Sequence, residues 1–473
     1  MENISKSHRK IFAAVSKAGE ECNQQVFIVG GYVRDYYLHR LKENGADMDF
    51  VTVGSGINVA KKTAEILGTG DVATFKNFGT AHVRFKTFDL EFVGARKESY
   101  QRNSRKPIVE NGTLEDDQLR RDFTINALSW SLNKTDFGAL RDPFDGLSDL
   151  ENKRIRTPVN PDLTFSDDPL RMMRAIRFTT ELDFAIDEET LNSITRSAKR
   201  IDIISQERIV DELNKIIMSP IPSIGFAHLF KSGLLERFFP ELYDLHGVEV
   251  INGIRHKDNF WHTLQVLDNV AVHSDKLWLR WAAVLHDIAK PPTKRFTPGA
   301  GWTFHGHDAL GAQWTKKIFR RFCLPLDERV RYVQKLVRLH LRPIALVDEI
   351  VTDSAIRRLI VEAGDDLDDL MTLCRADITS KNTRKVKQYL RNFDYVEQKV
   401  NEVAEKDRLR NWKPPVSGNE IMEALNLKPG PRIGAIKNAI EDAIMEGEIP
   451  NDHQAAFDYM LKIKDQILEP DNS

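Results

Sequence analysis

The residues able to do chemistry gather first between Val26 and Thr52. Val26-Phe27-Ile28-Val29 is an apolar, β-branched run of strand length. Gly30-Gly31 breaks it, and Val33, Tyr36 and Tyr37 follow at helical spacing. Strand, two glycines and a helix start make a geometry in which backbone N–H groups approach phosphate oxygens. Beyond Arg34 come Asp47-Met48-Asp49 and then Phe50-Val51. On a strand over 47–53 the two aspartates share a face, because side chains alternate with period two. Carboxylates roughly 7 Å apart on one strand face can share divalent cations. No third glycine completes a dinucleotide fingerprint. A lone Asp-x-Asp is most often a solvated strand edge, and the glycine turn ahead of it is what singles this one out.

The elements that must position these groups come from the rest of the chain. With 473 residues there is room for three or four domains. The 68 Lys and Arg nearly balance the 70 Asp and Glu, so any nucleic-acid surface must come from local segregation of charge. Cys22, Cys323 and Cys374 lie far apart, which argues against a disulfide framework or a cysteine zinc site and fits a reducing compartment. The start, MENISKSHRK, has no apolar core of a leader, and no run approaches the ~20 apolar residues of a membrane span. The expectation is a soluble cytoplasmic protein with no membrane partner.

Residues 1–160 mix strand and helix signals, and residues from about 165 to 380 read almost wholly helical. After the aspartates, Val59–Leu67 reads as an amphipathic helix, and 73–75, 82–85 and 90–93 read as strands. Glu91 stands between apolar neighbours on the last of these, with Asp89 on the same face. Residues 94–119 are polar with charges of both signs and suit a mobile loop over a site. In Arg120-Arg121-Asp122-Phe123-Thr124-Ile125-Asn126 the arginines can neutralise triphosphate charge, and Asp122 and Asn126 can take sugar hydroxyls. Asp142-Pro143-Phe144-Asp145-Gly146 reads as a closing turn.

A helix opens in Ser166-Asp167-Asp168-Pro169-Leu170-Arg171, with Ser166 or Asp167 as cap and Pro169 in its first turn. Asp168 and Arg171 are helix neighbours. A carboxylate accepts from the exocyclic amino group of cytosine or adenine, and a guanidinium donates to the adjoining ring nitrogen. Guanine and uracil reverse that pattern and leave both side chains unpaired. One such protein pair could accept CTP and ATP with no nucleic-acid template. Arg174 and Arg177 continue the same face toward triphosphate or RNA backbone, the alternative being pairing with nearby acids. Farther on stand His262, the doublet His286-Asp287 and Asp377, with His307 and His340 able to support a second ion. Nine cations against two acids between Lys316 and Arg342, and ten against five between Lys381 and Lys413, are candidate phosphate tracks or simply solvated helix faces. Ser417-x-x-Glu420 is a capping box, and Lys428–Gly434 a turn between helices.

GGYVRD followed by DMD resembles the nucleotidyltransferase head of the DNA polymerase β superfamily, and more narrowly the class II (bacterial-type) CCA-adding tRNA nucleotidyltransferases and poly(A) polymerases. RRDFTINAL and FDLEFVGAR match that family closely. Its Glu-Asp-x-x-Arg motif falls on Asp167-Asp168-Pro169-Leu170-Arg171, with Asp167 in place of glutamate. His262, His286-Asp287 and Asp377 resemble the HD phosphohydrolases. The resemblance implies an α+β fold: a small mixed-sheet, polymerase-β-like nucleotidyltransferase head over 1–160, then a mostly α-helical body. That body divides into a neck over 161–245 with the base-reading helix, an HD domain over 246–380, and a tail over 381–473 for tRNA binding. It implies that Asp47 and Asp49, with Glu91 or Asp89, hold two Mg2+ ions that activate the tRNA 3′-hydroxyl and stabilise pyrophosphate. Gly30, Gly31 and Arg34 would cradle the triphosphate; Arg121, Asp122 and Asn126 would position the sugar; Asp168 and Arg171 would choose the base. A divalent metal is implied at His262, His286, Asp287 and Asp377. Poly(A) synthesis, CC-only or A-only addition, and an HD phosphohydrolase with a non-catalytic RNA-binding head stay open.

Overall fold

The computed structural model describes residues 4–75, 79–99, 108–348, 352–380, 382–407 and 415–468. They form two compact units, Met1–Pro240 and Glu241–Ser473. The first is built on a seven-stranded mixed sheet, and helices dominate the rest.

In chain order the head runs α1 (Lys6–Glu21), β1 (Gln25–Val29), α2 (Gly31–Tyr37), β2 (Asp47–Val53) and α3 (Gly56–Leu67). Next come β3 (Val72–Phe75), β4 (Thr80–Phe85), β5 (Phe88–Gly94), β6 (Arg96–Ser99), β7 (Ile108–Asn111), α4 (Leu114–Leu119), β8 (Ser129–Ser131) and β9 (Leu140–Arg141). The sheet order is β3-β4-β5-β2-β1-β8-β9. Only β2 and β5 among these neighbours run parallel, with Asp47 opposite Asp89 and Asp49 opposite Glu91.

That register decides which side is core. Met48 and Phe50 of β2 and Leu90 and Phe92 of β5 are fully buried, and the Phe50 and Phe92 rings stack 4.9 Å apart. The four acids occupy the opposite face by alternation, so a one-residue slip would bury all of them. Beyond Asp49 that face turns apolar: Val51 packs with Phe27, Val29, Ala95 and Leu114. Helix α4 thus covers one end of the face and leaves the acids open.

Residues 94–119 are not one loop. β6 and β7 pair as an antiparallel hairpin, and α4 follows, capped by Thr113 and Asp116 in a reciprocal box. Residues 100–107 lie outside the described residues. The charged residues masked strand alternation there, and the Thr113-x-x-Asp116 cap was the legible signal.

The first unit continues with α5 (Gly146–Glu151), α6 (Pro161–Asp167), α7 (Leu170–Leu182), α8 (Glu188–Ser197) and α9 (Gln206–Ile217). Ser166 and Asp167 end α6 rather than capping α7, because Asn160 and Pro161 start a helix of their own. The N-cap of α7 is Pro169, which has no side-chain acceptor, and just before it Asp168 Oδ1 accepts from the Leu170 amide at 3.1 Å.

In the second unit, helices Asn259–His273, Leu277–Leu285, His307–Arg321, Glu328–Leu339 and Leu367–Asp377 pack together. Two small hairpins interrupt the helical reading, Val250–Ile251 with Ile254–Arg255 and Arg295–Thr297 with Gly301–Thr303. Asn252 and Gly253 turn the first at positive φ, as a tight hairpin requires. Helices Gly418–Leu425, Pro431–Glu446 and His453–Leu468 close on their own core of Ile421, Ile436, Ile440 and Met460. Both bonds of the Ser417–Glu420 box are present. Among the described residues no helix is long and apolar enough to cross a membrane.

Candidate active site and metal centre

A cleft of about 810 Å3 opens on the acidic face of the head. It is lined by Gly30, Gly31, Arg34, Asp47, Asp49, Arg121, Asp122, Asn126, Arg174 and Arg177, with Arg40 and Lys42 at the loop before β2. The residues singled out from four separate stretches of sequence therefore meet. Glu91, Asp168 and Arg171 are not among the lining residues.

Gly30, between β1 and α2, stands at φ +74, a conformation open chiefly to glycine. A Cβ there would lie 3.0 Å from Arg121 Nη1 and 3.6 Å from Asp49 Oδ2. The glycine thus lets an arginine and a carboxylate close over the turn. Asp49 opens to solvent on its cleft side but is otherwise crowded by protein. This desolvation pushes its carboxyl up to about 6, with Glu91 and Asp47 pushing the same way and Arg121 opposing. His82 on β4 reaches both flanking acids, 3.7 Å from Asp89 and 3.8 Å from Glu91. Hard carboxylate oxygens in repulsive proximity suit a hard divalent cation such as Mg2+.

The opposite wall is a chain of charge-assisted bonds. Arg34 Nη1 donates to Asn126 Oδ1 at 2.9 Å, and Asn126 Nδ2 donates to Asp122 Oδ1 at 3.0 Å. Arg174 donates twice to Asp122 Oδ2, at 2.8 and 2.5 Å. Burial would push Asp122 up, but Arg174 and Asn126 outweigh it and hold the carboxyl down at about 2. Arg177 is buried and pairs with Glu212 at 3.2 Å and Glu181 at 3.6 Å. Arg174 and Arg177 are thus partnered by acids while still bordering the cleft.

Asp168 and Arg171 start α7, but they do not bond to each other through their side chains. Arg208 donates to Asp168 Oδ2 at 2.8 Å. Arg171 donates to the carbonyls of Arg120 at 2.5 Å and Thr164 at 3.4 Å.

The second cluster lies in the unit Glu241–Ser473. His262, His286, Asp287, His307 and His340 are all buried. Ligand-type atoms of His262, His286 and Asp287 lie within 4.8 Å of one another, as do those of Asp287, His307 and His340. Asp287 belongs to both groups. Asp377 lies 2.8 Å from His262 Nε2 and 3.7 Å from His286 Nε2. The Nδ1 atoms of His286, His307 and His340 lie 2.7, 2.6 and 2.6 Å from the carbonyls of Ala283, Phe304 and Val337. A carbonyl can only accept, so each Nδ1 carries a proton and turns the Nε2 lone pair inward. Those three Nε2 atoms and Asp287 Oδ1 are buried without a hydrogen-bond partner. Orphaned buried lone pairs beside a shared carboxylate are the donor set a pair of divalent metals satisfies.

His262 differs. Its Nδ1 faces the Lys257 ammonium at 2.7 Å and the Thr379 hydroxyl at 2.9 Å. An ammonium only donates, so in this arrangement Nε2 carries the proton and donates to Asp377. Lys290 pairs with Asp287 at 2.6 Å.

Comparison with known proteins follows the same division. Residues 26–156 match the family described as Poly A polymerase head domain, residues 259–380 the HD domain, and residues 365–460 tRNA nucleotidyltransferase domain 2. An A-adding tRNA nucleotidyltransferase of Deinococcus radiodurans is 33% identical over 90% of this chain and 93% of its own length. The chain belongs to the bacterial CCA-adding tRNA nucleotidyltransferase family, with an HD domain. A CC-adding tRNA nucleotidyltransferase of Thermus thermophilus is 31% identical over 91% of this chain and 92% of its own. Among solved structures, the Bacillus stearothermophilus CCA-adding enzyme in complex with CTP shares the fold at TM-score 0.67. It is 20% identical, and the match covers 98% of this chain and 99% of that one.

A member of this tRNA nucleotidyltransferase family has residues at its site that the sequence alone did not single out. Asp117, Glu212, Arg208 and Lys257 bond to residues that were, and His82 lies near two of them. The Asp117–Arg121 spacing of four was the available signal, but Asp117 fell in the polar stretch 94–119 that read as a loop over a site. Arg208 and Glu212 come from α9, distant in sequence, whereas His82 lies on the strand before Asp89 and Lys257 just ahead of His262. In the cluster at 316–342, Arg321, Arg329, Lys335 and Arg338 each pair with an acid. Of the cluster at 381–413, Lys381, Arg408, Arg410 and Lys413 lie outside the described residues.

Proposed function

We propose that this tRNA nucleotidyltransferase adds C, C and A to the 3′ end of tRNA from CTP and ATP, without a nucleic-acid template. The observation that carries the reading is the parallel register of β2 and β5, with Asp47 and Asp49 on the open face beside Asp89 and Glu91. Arg34, Arg121 and the Gly30-Gly31 turn border the same cleft. The reaction is attack of the tRNA 3′-oxygen on the α-phosphate, forming the new P–O bond and releasing pyrophosphate. Asp47 and Asp49, with Glu91, would hold divalent ions of the Mg2+ type, which supply activation of the hydroxyl and charge neutralisation at the leaving group. Gly30, Gly31 and Arg34 cradle the triphosphate, joined by Arg121. Asp122 and Asn126, fixed to each other and to Arg174, orient the sugar. Asp168 and Arg171 read the base once released from Arg208 and from the Arg120 and Thr164 carbonyls. The solved Thermotoga maritima relative of the same fold is a CCA-adding enzyme complexed with tRNA, which supports tRNA as the acceptor.

His262, His286, Asp287 and Asp377, with His307 and His340, form a second, metal-dependent phosphohydrolase centre in this reading. The buried orphan lone pairs support the metal part of it.

A-only addition is the second reading, favoured by the A-adding relative from Deinococcus radiodurans, which is similar over nearly its whole length. The deciding experiment gives purified protein a tRNA lacking its 3′ end and one ending in CC, with CTP and ATP singly and together. Ordered C, C, A addition supports the first reading. Extension of the CC-ended tRNA alone, by one A, supports the second, and a long A tract or no extension refutes both.

A further inference from the structure

Asp117 is wholly buried, yet it has no part in the chemistry above. Its two oxygens grip two arginines at once. Oδ1 accepts from Arg120 Nε at 3.0 Å and Nη2 at 2.5 Å; Oδ2 accepts from Arg121 Nε at 3.0 Å and lies 2.9 Å from Arg121 Nη2. Burial would push this carboxyl up, but Arg121 and Arg120 outweigh it and hold it below the usual value. It is therefore a fixed anion behind the cleft-lining Arg121.

Its place is fixed as well. The reciprocal Thr113–Asp116 box holds the start of α4. The neighbouring Gln118, also buried, donates from Nε2 to the carbonyls of Ala127 and Arg141 and to the Ser129 hydroxyl. With Nε and Nη2 of Arg121 engaged by Asp117, Nη1 is the end left to face the cleft. It donates to the Asn126 carbonyl at 3.3 Å and lies over Gly30, where even a Cβ would be 3.0 Å away. The same Asp117 fixes Arg120, whose carbonyl accepts from Arg171 at 2.5 Å. An arginine held this way loses its side-chain freedom during folding, not on binding nucleotide.

We infer that Asp117 is a positioning residue for nucleotide binding, its buried carboxylate aiming Arg121 at the triphosphate. The inference rests on the proposed role of Arg121 as a triphosphate ligand, and the test separates the two. KM and kcat are measured with truncated tRNA and whichever of CTP or ATP the wild type incorporates, for Asp117→Asn, Arg121→Ala, the double variant and Arg121→Lys. Arg121→Ala raises the nucleotide KM about tenfold, with kcat within about twofold, as loss of uniform binding requires. Asp117→Asn raises KM by at least about fivefold alone but by less than about twofold on the Arg121→Ala background, because coupled residues are not additive. Arg121→Lys keeps the charge but cannot span carboxylate and cleft, so its KM follows Arg121→Ala; this arm holds even if Asp117→Asn does not fold. Wild-type KM in Asp117→Asn or in Arg121→Lys, alongside a raised KM in Arg121→Ala, overturns the inference, and so do additive effects in the double variant. Wild-type KM in Arg121→Ala overturns the role of Arg121 beneath it.

Discussion

Arg174 of α7 and Asp122 of the Arg120–Asn126 segment are locked by two N–H···O bonds, 2.8 and 2.5 Å long. The pair joins the helix that starts with Asp168 and Arg171 to the segment that carries Arg121 and Asn126. The groups proposed to read the base and to position the sugar therefore share one rigid joint.

That joint has a pH signature. Asp122 is held at about 2 against an ordinary 3.8. A depressed carboxyl stabilises the fold above its unfolded pKa, and that contribution is lost as pH falls through the folded one. The gap corresponds to about 2 kcal/mol. In urea unfolding, the stability difference between wild type and Asp122→Asn should be constant above about pH 4. It should shrink toward zero as pH falls to about 2. A difference independent of pH would contradict the pairing.

Gly30 is constrained twice, by its positive φ and by Arg121. Gly30→Ala should lower stability by about 1 kcal/mol or more and raise the nucleotide KM. Gly68, at φ +72 with nothing within 4 Å, is the control. Gly68→Ala should cost similar stability in thermal unfolding with KM unchanged.

Asp287 is common to both metal-type groups, whereas His262 and His340 belong to one each. Metal analysis after loading should find both equivalents lost in Asp287→Ala, and one lost in His340→Ala. Nucleotide addition to truncated tRNA should persist in both variants, and any phosphatase activity should vanish in Asp287→Ala. Loss of nucleotide addition as well would show that the two centres are not independent.

Asp168→Ala should cut incorporation of CTP and ATP by at least about tenfold in kcat/KM and narrow their advantage over GTP and UTP, since a lost hydrogen-bond acceptor weakens discrimination. Competition assays with all four nucleotides check this. Retained selectivity would move base reading elsewhere.

Much of this was legible in the sequence because the decisive elements are local. β2 begins at Asp47 as alternation required, and strand, double glycine and helix follow in order at Gly30. The HD residues lie together as the resemblance to the HD phosphohydrolases implied. What escaped depends on pairing across distance. Whether Glu91 or Asp89 neighbours Asp49 is a matter of β2–β5 register, which no single strand encodes. Arg208 and Glu212 meet α7 only through packing of α9 against it. The start of α7 was misplaced because Pro169 suits a first turn whether or not an earlier helix ends at Asp167. The hairpin at Val250–Arg255 was missed although Asn252-Gly253 announces it, since the surrounding helical pattern dominated.

The most direct measurement is nucleotide incorporation into truncated tRNA by Asp47→Ala, Asp49→Ala and the double variant, in saturating Mg2+ and with folding checked by thermal unfolding. The account predicts well-folded proteins whose incorporation falls to background, with nucleotide binding through Arg34 and Arg121 largely kept. A folded double variant that extends tRNA at the wild-type rate would contradict it.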